Sequence, residues 1–91
     1  MRRLMALTIA ASILAPAGLA HAGSFGKPCT AQPAGEWLSV QALQTKLEQQ
    51  GYKVRKGKIK NSCGEFYTTD PKGQKIELFL DPATGVIVGH S

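Results

Sequence analysis

The sequence has little of what an enzyme or a metal centre requires. It contains two cysteines and two histidines, and the second histidine, His90, is the penultimate residue. It has no glycine-rich phosphate-binding loop and no recognisable metal-binding motif. A catalytic triad needs rigidly held residues, and a histidine at a frayed chain end does not meet this need. The sequence therefore predicts no catalytic residue, no metal site and no cofactor.

The six acidic residues allow one arrangement with catalytic potential. Glu65 and Glu77 are predicted on neighbouring strands, where two carboxylates could approach each other and transfer protons. The simpler interpretation is that both are solvated strand residues beside lysines, because so small a chain leaves little room for a pocket. We therefore expect the protein not to be an enzyme, and a small hydrolase acting through these two residues is the alternative.

The N-terminus has the organisation of a secretory signal. Arg2 and Arg3 supply positive charge, and the mostly apolar stretch Leu4–Leu14 is too short to span a bilayer comfortably. Ala20-His21-Ala22 then gives the small-x-small cleavage pattern. We interpret residues 1–22 as a cleavable signal peptide, the alternative being an anchor that stays attached. The predicted location is therefore periplasmic or secreted.

The 69 residues that follow the predicted signal are few for a hydrophobic core, and domains of this size usually carry a covalent or metal staple. Cys29 and Cys63 are the two candidates. In an oxidising compartment such a pair is expected to form a disulfide, with a metal pair or a reactive thiol as alternatives. Nine Lys and Arg face six Asp and Glu in this part, a net charge of +3 that speaks to solubility rather than to fold.

Residue periodicity predicts one helix followed by strands. Residues 23–35 are rich in Gly, Pro and small polar residues and predict an irregular arm. Ser39 is a good N-cap, Val40, Leu43 and Leu47 form an apolar stripe, and Gly51 ends the pattern, so we predict a helix over 39–50.

After Gly51 the period changes to two. Strands are predicted over 52–60, with a bulge at Gly57, and over 63–69, 74–80 and 86–88, the last three residues fraying. Asp70 and Asp81 begin the turns between them. The predicted fold class is α+β: one helix packed on a small antiparallel sheet of three to four strands, with the arm tied down by the disulfide.

Three stretches of the chain resemble a PepSY-like domain. The first is Trp37–Ser39 together with residues 47–55, which contain the end of the predicted helix and the start of the first strand. The second is Cys63–Tyr67 followed by residues 70–80. The third is the closing Asp-Pro-Ala-Thr-Gly-Val-Ile-Val at 81–88. The resemblance covers Glu36–Val88 and departs from the family pattern at Gly64, where an aromatic residue often follows the cysteine. We therefore divide the chain into a signal (1–22), an arm (23–35) and a PepSY-like domain (36–91).

The resemblance implies a function as well as a fold. PepSY-like domains are non-catalytic modules of thermolysin-type metallopeptidase propeptides, envelope sensors and small exported proteins, and they have been proposed to bind or restrain peptidases. It implies no cofactor and no transferable catalytic motif. The resemblance also implies an unidentified protein partner, either a peptidase or another envelope protein, whose activity the domain would modulate.

Two groups of residues are candidates for binding that partner. The first is a run of five cations between residues 53 and 60, which we call the basic stripe. On an edge strand it would attract an acidic peptide, an anionic envelope polymer or phospholipid. The alternative is that these cations only discourage strand-to-strand aggregation. Nucleic acid is not an expected partner outside the cytoplasm. The basic stripe consists of Lys53, Arg55, Lys56, Lys58 and Lys60.

The second group is an aromatic pair, Tyr67 and Phe79. If Ile76, Leu78 and Leu80 face the helix, these two rings face the other side of the sheet and could form a contact surface. The alternatives are that the pair only stabilises the sheet, or that the arm folds over it.

Overall fold

The described part of the chain folds as one α-helix on one face of a four-stranded antiparallel sheet, as the α+β prediction requires. The computed structural model describes residues 25–91, so the predicted signal peptide and the first two residues of the arm lie outside the described residues. The elements are a 3-10 helix at Ala34–Glu36, α1 at Val40–Gln49, β1 at Lys53–Lys60, β2 at Cys63–Thr69, β3 at Lys75–Leu80 and β4 at Ile87–His90. The strand order in the sheet is β1-β2-β3-β4, and both β1 and β4 are edge strands of the described sheet. No helix within residues 25–91 is long and apolar enough to cross a membrane.

Helix α1 begins and ends at the predicted signals. The Ser39 hydroxyl accepts a hydrogen bond from the Ala42 N–H at 3.0 Å, which satisfies one of the free donors of the first turn. Gly51 follows the helix with φ of 97°, a conformation that glycine adopts without strain. Leu43 and Leu47 are fully buried, so the predicted apolar stripe is the face that packs on the sheet.

The core lies between α1 and one face of the sheet, which we call the inner face. Phe66 from β2 and Leu78 and Leu80 from β3 pack there with Leu43 and Leu47. Gly57 lies opposite Phe66 across the β1–β2 ladder, and a Cβ atom at that position would collide with the Phe66 ring. The glycine therefore makes room for the largest side chain of the core.

The prediction for the C-terminal end was wrong. β4 runs over Ile87–His90 rather than over 86–88, and the end of the chain does not fray. The Ser91 N–H donates to the Glu77 carbonyl at 3.0 Å, and the Glu77 N–H donates to the Ser91 carbonyl at 3.2 Å. The antiparallel ladder with β3 thus holds the chain to its last residue, because backbone pairing does not depend on the side chains of Gly89 and His90.

The turns form where the aspartates predict them. The Asp70 carboxylate accepts hydrogen bonds from the backbone N–H groups of Lys72, at 2.9 Å, and Gln74, at 2.8 Å. The Asp81 carboxylate accepts one from Ala83 at 2.8 Å. These bonds explain why both acidic residues precede Pro in the sequence, since each side chain caps the turn that the proline starts.

Candidate functional site

A β-bulge brings the lysines of the basic stripe to one face of the sheet. In the β1–β2 register Val54 pairs with Thr68 and Lys56 pairs with Tyr67, so Arg55 is the extra residue. Side chains alternate along a strand, and one extra residue changes the phase of the alternation. Lys53, Lys56, Lys58 and Lys60 consequently all lie opposite β2 residues of the outer face, the face away from α1. The predicted bulge at Gly57 was wrong, because that glycine serves the packing of Phe66.

The basic stripe is the outermost strand of the sheet. Within residues 25–91, β1 pairs with β2 alone, so no described strand lies on its other side. Lys53, Arg55, Lys56 and Lys60 are exposed, while Lys58 is half-buried opposite Glu65. Arg55 lines a shallow pocket of about 150 Å³ together with Tyr67, Lys75 and Glu77. The cations therefore border the central part of the outer face rather than standing apart from it.

Two carboxylates lie beside these cations, and they are buried. Glu65 is 1% exposed and Glu77 is 9% exposed, so the expectation of two solvated strand residues was wrong. Glu77 pairs with Tyr67, and Glu65 pairs with Phe79 across the β2–β3 ladder. One oxygen of each carboxylate, Oε1 of Glu65 and Oε2 of Glu77, has no hydrogen-bond partner among the described residues. The Ser91 hydroxyl donates to Oε1 of Glu77 at 3.2 Å.

Burial and a neighbouring charge shift the pKa values of two groups on this face. Desolvation raises the pKa of Glu65 above its ordinary value, because the charged form loses its water; the charges of Lys58 and Lys60 act in the opposite direction and Glu77 adds to the rise. The negative charge of Glu77 raises the pKa of Tyr67, with desolvation and Glu65 contributing in the same direction. The phenol of Tyr67 is therefore a neutral hydrogen-bonding group near physiological pH.

The arm covers one end of the outer face. The Cys29–Cys63 disulfide is present, as predicted, and joins the arm to the first residue of β2. The Cys29 N–H also donates to the Ser62 carbonyl at 3.2 Å. Beyond the disulfide the chain places the Phe25 ring against Phe79, with 5.1 Å between the ring centroids.

This arrangement corrects the prediction for Phe79. The residue is on the outer face, but only 2% of it is exposed because Phe25 packs over it. Phe25 can lie there because Gly89 on β4 has no side chain; a Cβ atom at Gly89 would collide with the ring. Tyr67 stays half-buried, so it is the aromatic residue of the predicted pair that the outer face still presents. The arm itself is less irregular than predicted, since its last two residues, Ala34 and Gly35, begin the 3-10 helix.

A groove of about 410 Å³ separates the arm from the turn between β1 and β2. Glu65 and Cys63 line it from the sheet, and Asn61 and Ser62 line it from the turn. Both turn residues have positive φ, 52° and 62°, which is the geometry of a two-residue hairpin turn of type I′. Within residues 25–91 no group of three or more His, Cys, Asp or Glu residues is placed to hold a metal ion. The chemistry that the groove offers is hydrogen bonding and charge.

Comparisons with known proteins point to a single family. The PepSY family model described as "Peptidase propeptide and YPEB domain" matches residues 4–91. A comparison with curated proteins and one with solved structures found no significant match.

Proposed function

Because the chain belongs to the peptidase propeptide and YPEB domain family, we propose that it is an exported, non-catalytic binding module that modulates a peptidase or another protein of the cell envelope. PepSY domains are propeptide and regulatory modules rather than catalytic ones, and they are typically extracellular or periplasmic. The family match over nearly the whole chain is the observation that carries the proposal. The predicted signal over residues 1–22 and the disulfide both suit an oxidising compartment outside the cytoplasm.

The outer face is the surface that we assign to this function. It combines the basic stripe on an edge strand with Tyr67, which is half-buried and placed between the cations and Glu77. Interface anchors are often aromatic residues surrounded by polar or charged groups. Phe79 is not part of the proposed contact surface, because the arm covers it.

Capture from the exported fraction tests the proposal. The protein is immobilised with its disulfide intact, washed at low and at moderate salt, and the retained proteins are identified by mass spectrometry. Peptide hydrolysis by the same fraction is then measured with increasing amounts of the protein. We expect a discrete protein that survives moderate salt and a saturable change in hydrolysis. If no protein is retained and hydrolysis does not change, the proposal is contradicted.

Two charge-reversal variants show whether the basic stripe takes part. Lys56→Glu changes the middle of the stripe, and Lys72→Glu makes the same change in charge in the exposed turn between β2 and β3. We expect Lys56→Glu to weaken capture and Lys72→Glu to leave it close to that of the unmodified protein. Equal effects would show that overall charge, rather than this surface, determines binding.

The bulge at Arg55 also favours a second candidate function, the electrostatic binding of an anionic envelope polymer or lipid. Concentrating the lysines on one face creates a local positive potential that dispersed lysines would not. Sedimentation with vesicles of phosphatidylglycerol tests it. Binding that decreases steeply as salt rises, and that Lys56→Glu abolishes while Lys72→Glu does not, would support this second function. Binding of a protein that persists in the same salt would contradict it.

A further inference from the structure

The two edges of the sheet differ in how they are protected. β1 carries the five cations of the basic stripe within eight residues. The segment 82–91, which includes β4, contains no Lys, Arg, Asp or Glu. Charged residues on an edge strand hinder pairing with another chain, and β4 lacks this protection. It is limited instead by its length of four residues and by a register shift against β3 at Val88. β4 pairs with β3 on one side, and no strand of the described chain lies on its other side.

The same edge carries exposed apolar side chains. Val86 is 58% exposed and Val88 is 42% exposed, and these are the large hydrophobic residues with high exposure among residues 25–91. One precedes β4 and the other lies within it. Single exposed valines are ordinary on protein surfaces, but two that flank a half-buried Ile87 on an uncharged edge strand form an apolar margin.

A groove of about 400 Å³ runs beside this margin, between the C-terminal half of α1 and the start of β4. We call it the edge groove. Helix α1 lies nearest to β1 and β2, and its buried leucines reach Leu78 and Leu80 of β3. The edge groove therefore lies along the side of the helix that faces β4. The groove is lined on one side by Lys46 and Gln49 of the helix and by Gln50, which follows it. On the other side it is lined by Ile87 of β4 and by Val86, which precedes the strand. Gly85 has no side chain, which lets the stem of Lys46 lie across the turn.

We propose that an extended segment of the partner protein adds a fifth strand to β4, with aliphatic side chains on Val86 and Val88 and an acidic side chain that reaches Lys46. This inference rests on the proposed function and identifies how the partner is held. Main-chain hydrogen bonds to an open edge supply affinity in such complexes, and pockets beside the edge select the side chains. The edge groove supplies one cation and two amides for that selection.

A second copy of this chain fits the edge less well. The segment 82–91, which would pair with itself, contains no acidic residue that could reach Lys46 of the other copy. An extended segment with an acidic residue fills both the edge and the groove.

The test uses two synthetic peptides, acetyl-Thr-Val-Glu-Val-Thr-Val-amide and the same peptide with Lys in place of Glu. Binding to the ¹⁵N-labelled protein, expressed as the full chain and purified from the exported fraction, is followed by amide chemical shifts. We expect saturable shifts confined to residues 84–91 and 46–50, with the Glu peptide bound more tightly. Lys46→Glu is expected to reverse the order of the two peptides. Shifts confined to the basic stripe, or no saturable shift, would overturn the inference.

Val88→Lys places a charge on the open edge and is expected to weaken the Glu peptide about tenfold or more, which corresponds to about 1.4 kcal/mol. Gln74→Lys adds the same charge at the far end of the sheet, where the side chain is exposed, and should change binding less than twofold. Val88→Thr keeps a β-branched side chain and replaces one methyl group by a hydroxyl, so the fold should be unaffected. Weaker peptide binding by this variant, with an unchanged melting temperature, would show that the apolar surface of Val88 contributes to binding. Equal binding by Val88→Lys and Gln74→Lys would overturn the inference.

Two further measurements separate this inference from the proposed function. A protein captured equally well by the unmodified chain and by Val88→Lys would leave the proposed function in place and overturn the docking site. Peptide binding at β4 without any captured protein or effect on hydrolysis would support the docking site and contradict the proposed function. Sedimentation without peptide that shows a dimer, lost in Val88→Lys, would overturn the inference in favour of self-pairing.

Discussion

Removing the Cys29–Cys63 disulfide tests how much of the stability comes from tying the arm to β2. The bond closes a loop with a sequence separation of 34 residues. In the chain-entropy model a loop of this length makes folding more favourable by about 4 kcal/mol, because the cross-link removes conformations from the unfolded chain. A domain of this size has a free energy of unfolding of roughly 3–10 kcal/mol. The bond is therefore expected to supply a large fraction of it.

The assay compares urea unfolding of the unmodified protein with that of the Cys29→Ala/Cys63→Ala double variant, followed by far-ultraviolet circular dichroism. We expect a loss of about 4 kcal/mol, or a decrease in melting temperature on the order of 15–30 °C. Reduction of the unmodified protein should give the same result, since it opens the same loop without changing the side chains.

Phe25→Ala is the matched control, because it removes the contact with Phe79 and keeps the covalent link. Phe25 is half-buried, so its truncation should cost about 1–2 kcal/mol, less than a fully buried phenylalanine. A double cysteine variant that loses no more stability than Phe25→Ala would refute the reasoning. The arm would then be held by its packing, and the closed loop would add nothing measurable.

Two further substitutions test the packing of the sheet. Gly57→Ala should destabilise the protein by about 1–3 kcal/mol in urea unfolding, because the added methyl group collides with the buried Phe66 ring. The control is Gly35→Ala, whose Cβ atom would have open space, and it should be neutral or slightly stabilising. Equal effects of the two substitutions would contradict this account. Glu65→Gln should stabilise the protein at neutral pH. The raised pKa of Glu65 means that the folded state holds the proton more tightly than the unfolded state, so the stability from this group is complete below its ordinary value of 4.5 and is lost as pH rises through the raised value. The variant and the unmodified protein should therefore converge well below pH 4.5, and a stabilisation independent of pH would show that desolvation of the charge is not the cause.

The helix and the turns could be predicted because they follow from neighbouring residues. The hydroxyl of Ser39 caps α1, the Leu43 and Leu47 spacing forms its buried face, and Gly51 ends it. Asp70 and Asp81 bond to backbone groups two to four residues away. Signals of this kind lie within one turn of the chain and do not depend on the rest of the fold.

The outer face could not be predicted because it depends on residues far apart in the sequence. Glu65 and Phe79 have the pattern of exposed strand residues, and only the return of the arm through the disulfide accounts for the burial of Phe79. The position of the bulge was equally hidden. The two alternating stretches of β1 differ in phase, and the change could fall at any residue between Arg55 and Gly57. Glycine often marks a bulge, but here the requirement for space next to Phe66 determines its place.

The extra residue in β1 decides which side chains of the strand share a face. In a β1 of the same length without the bulge, residues 53–56 would alternate without interruption, so Lys53 and Lys56 could not lie on the same face. Either Val54 would turn to the outer face beside the lysines, or Lys56, Lys58 and Lys60 would turn toward the helix. Deleting Arg55 has no such effect, because Lys53, Val54 and Lys56 then alternate regularly and the lysines keep the outer face. Related chains that lack this one residue should therefore present the same row of lysines, and a gap of one position there in an alignment marks the loss of the bulge rather than a change of surface.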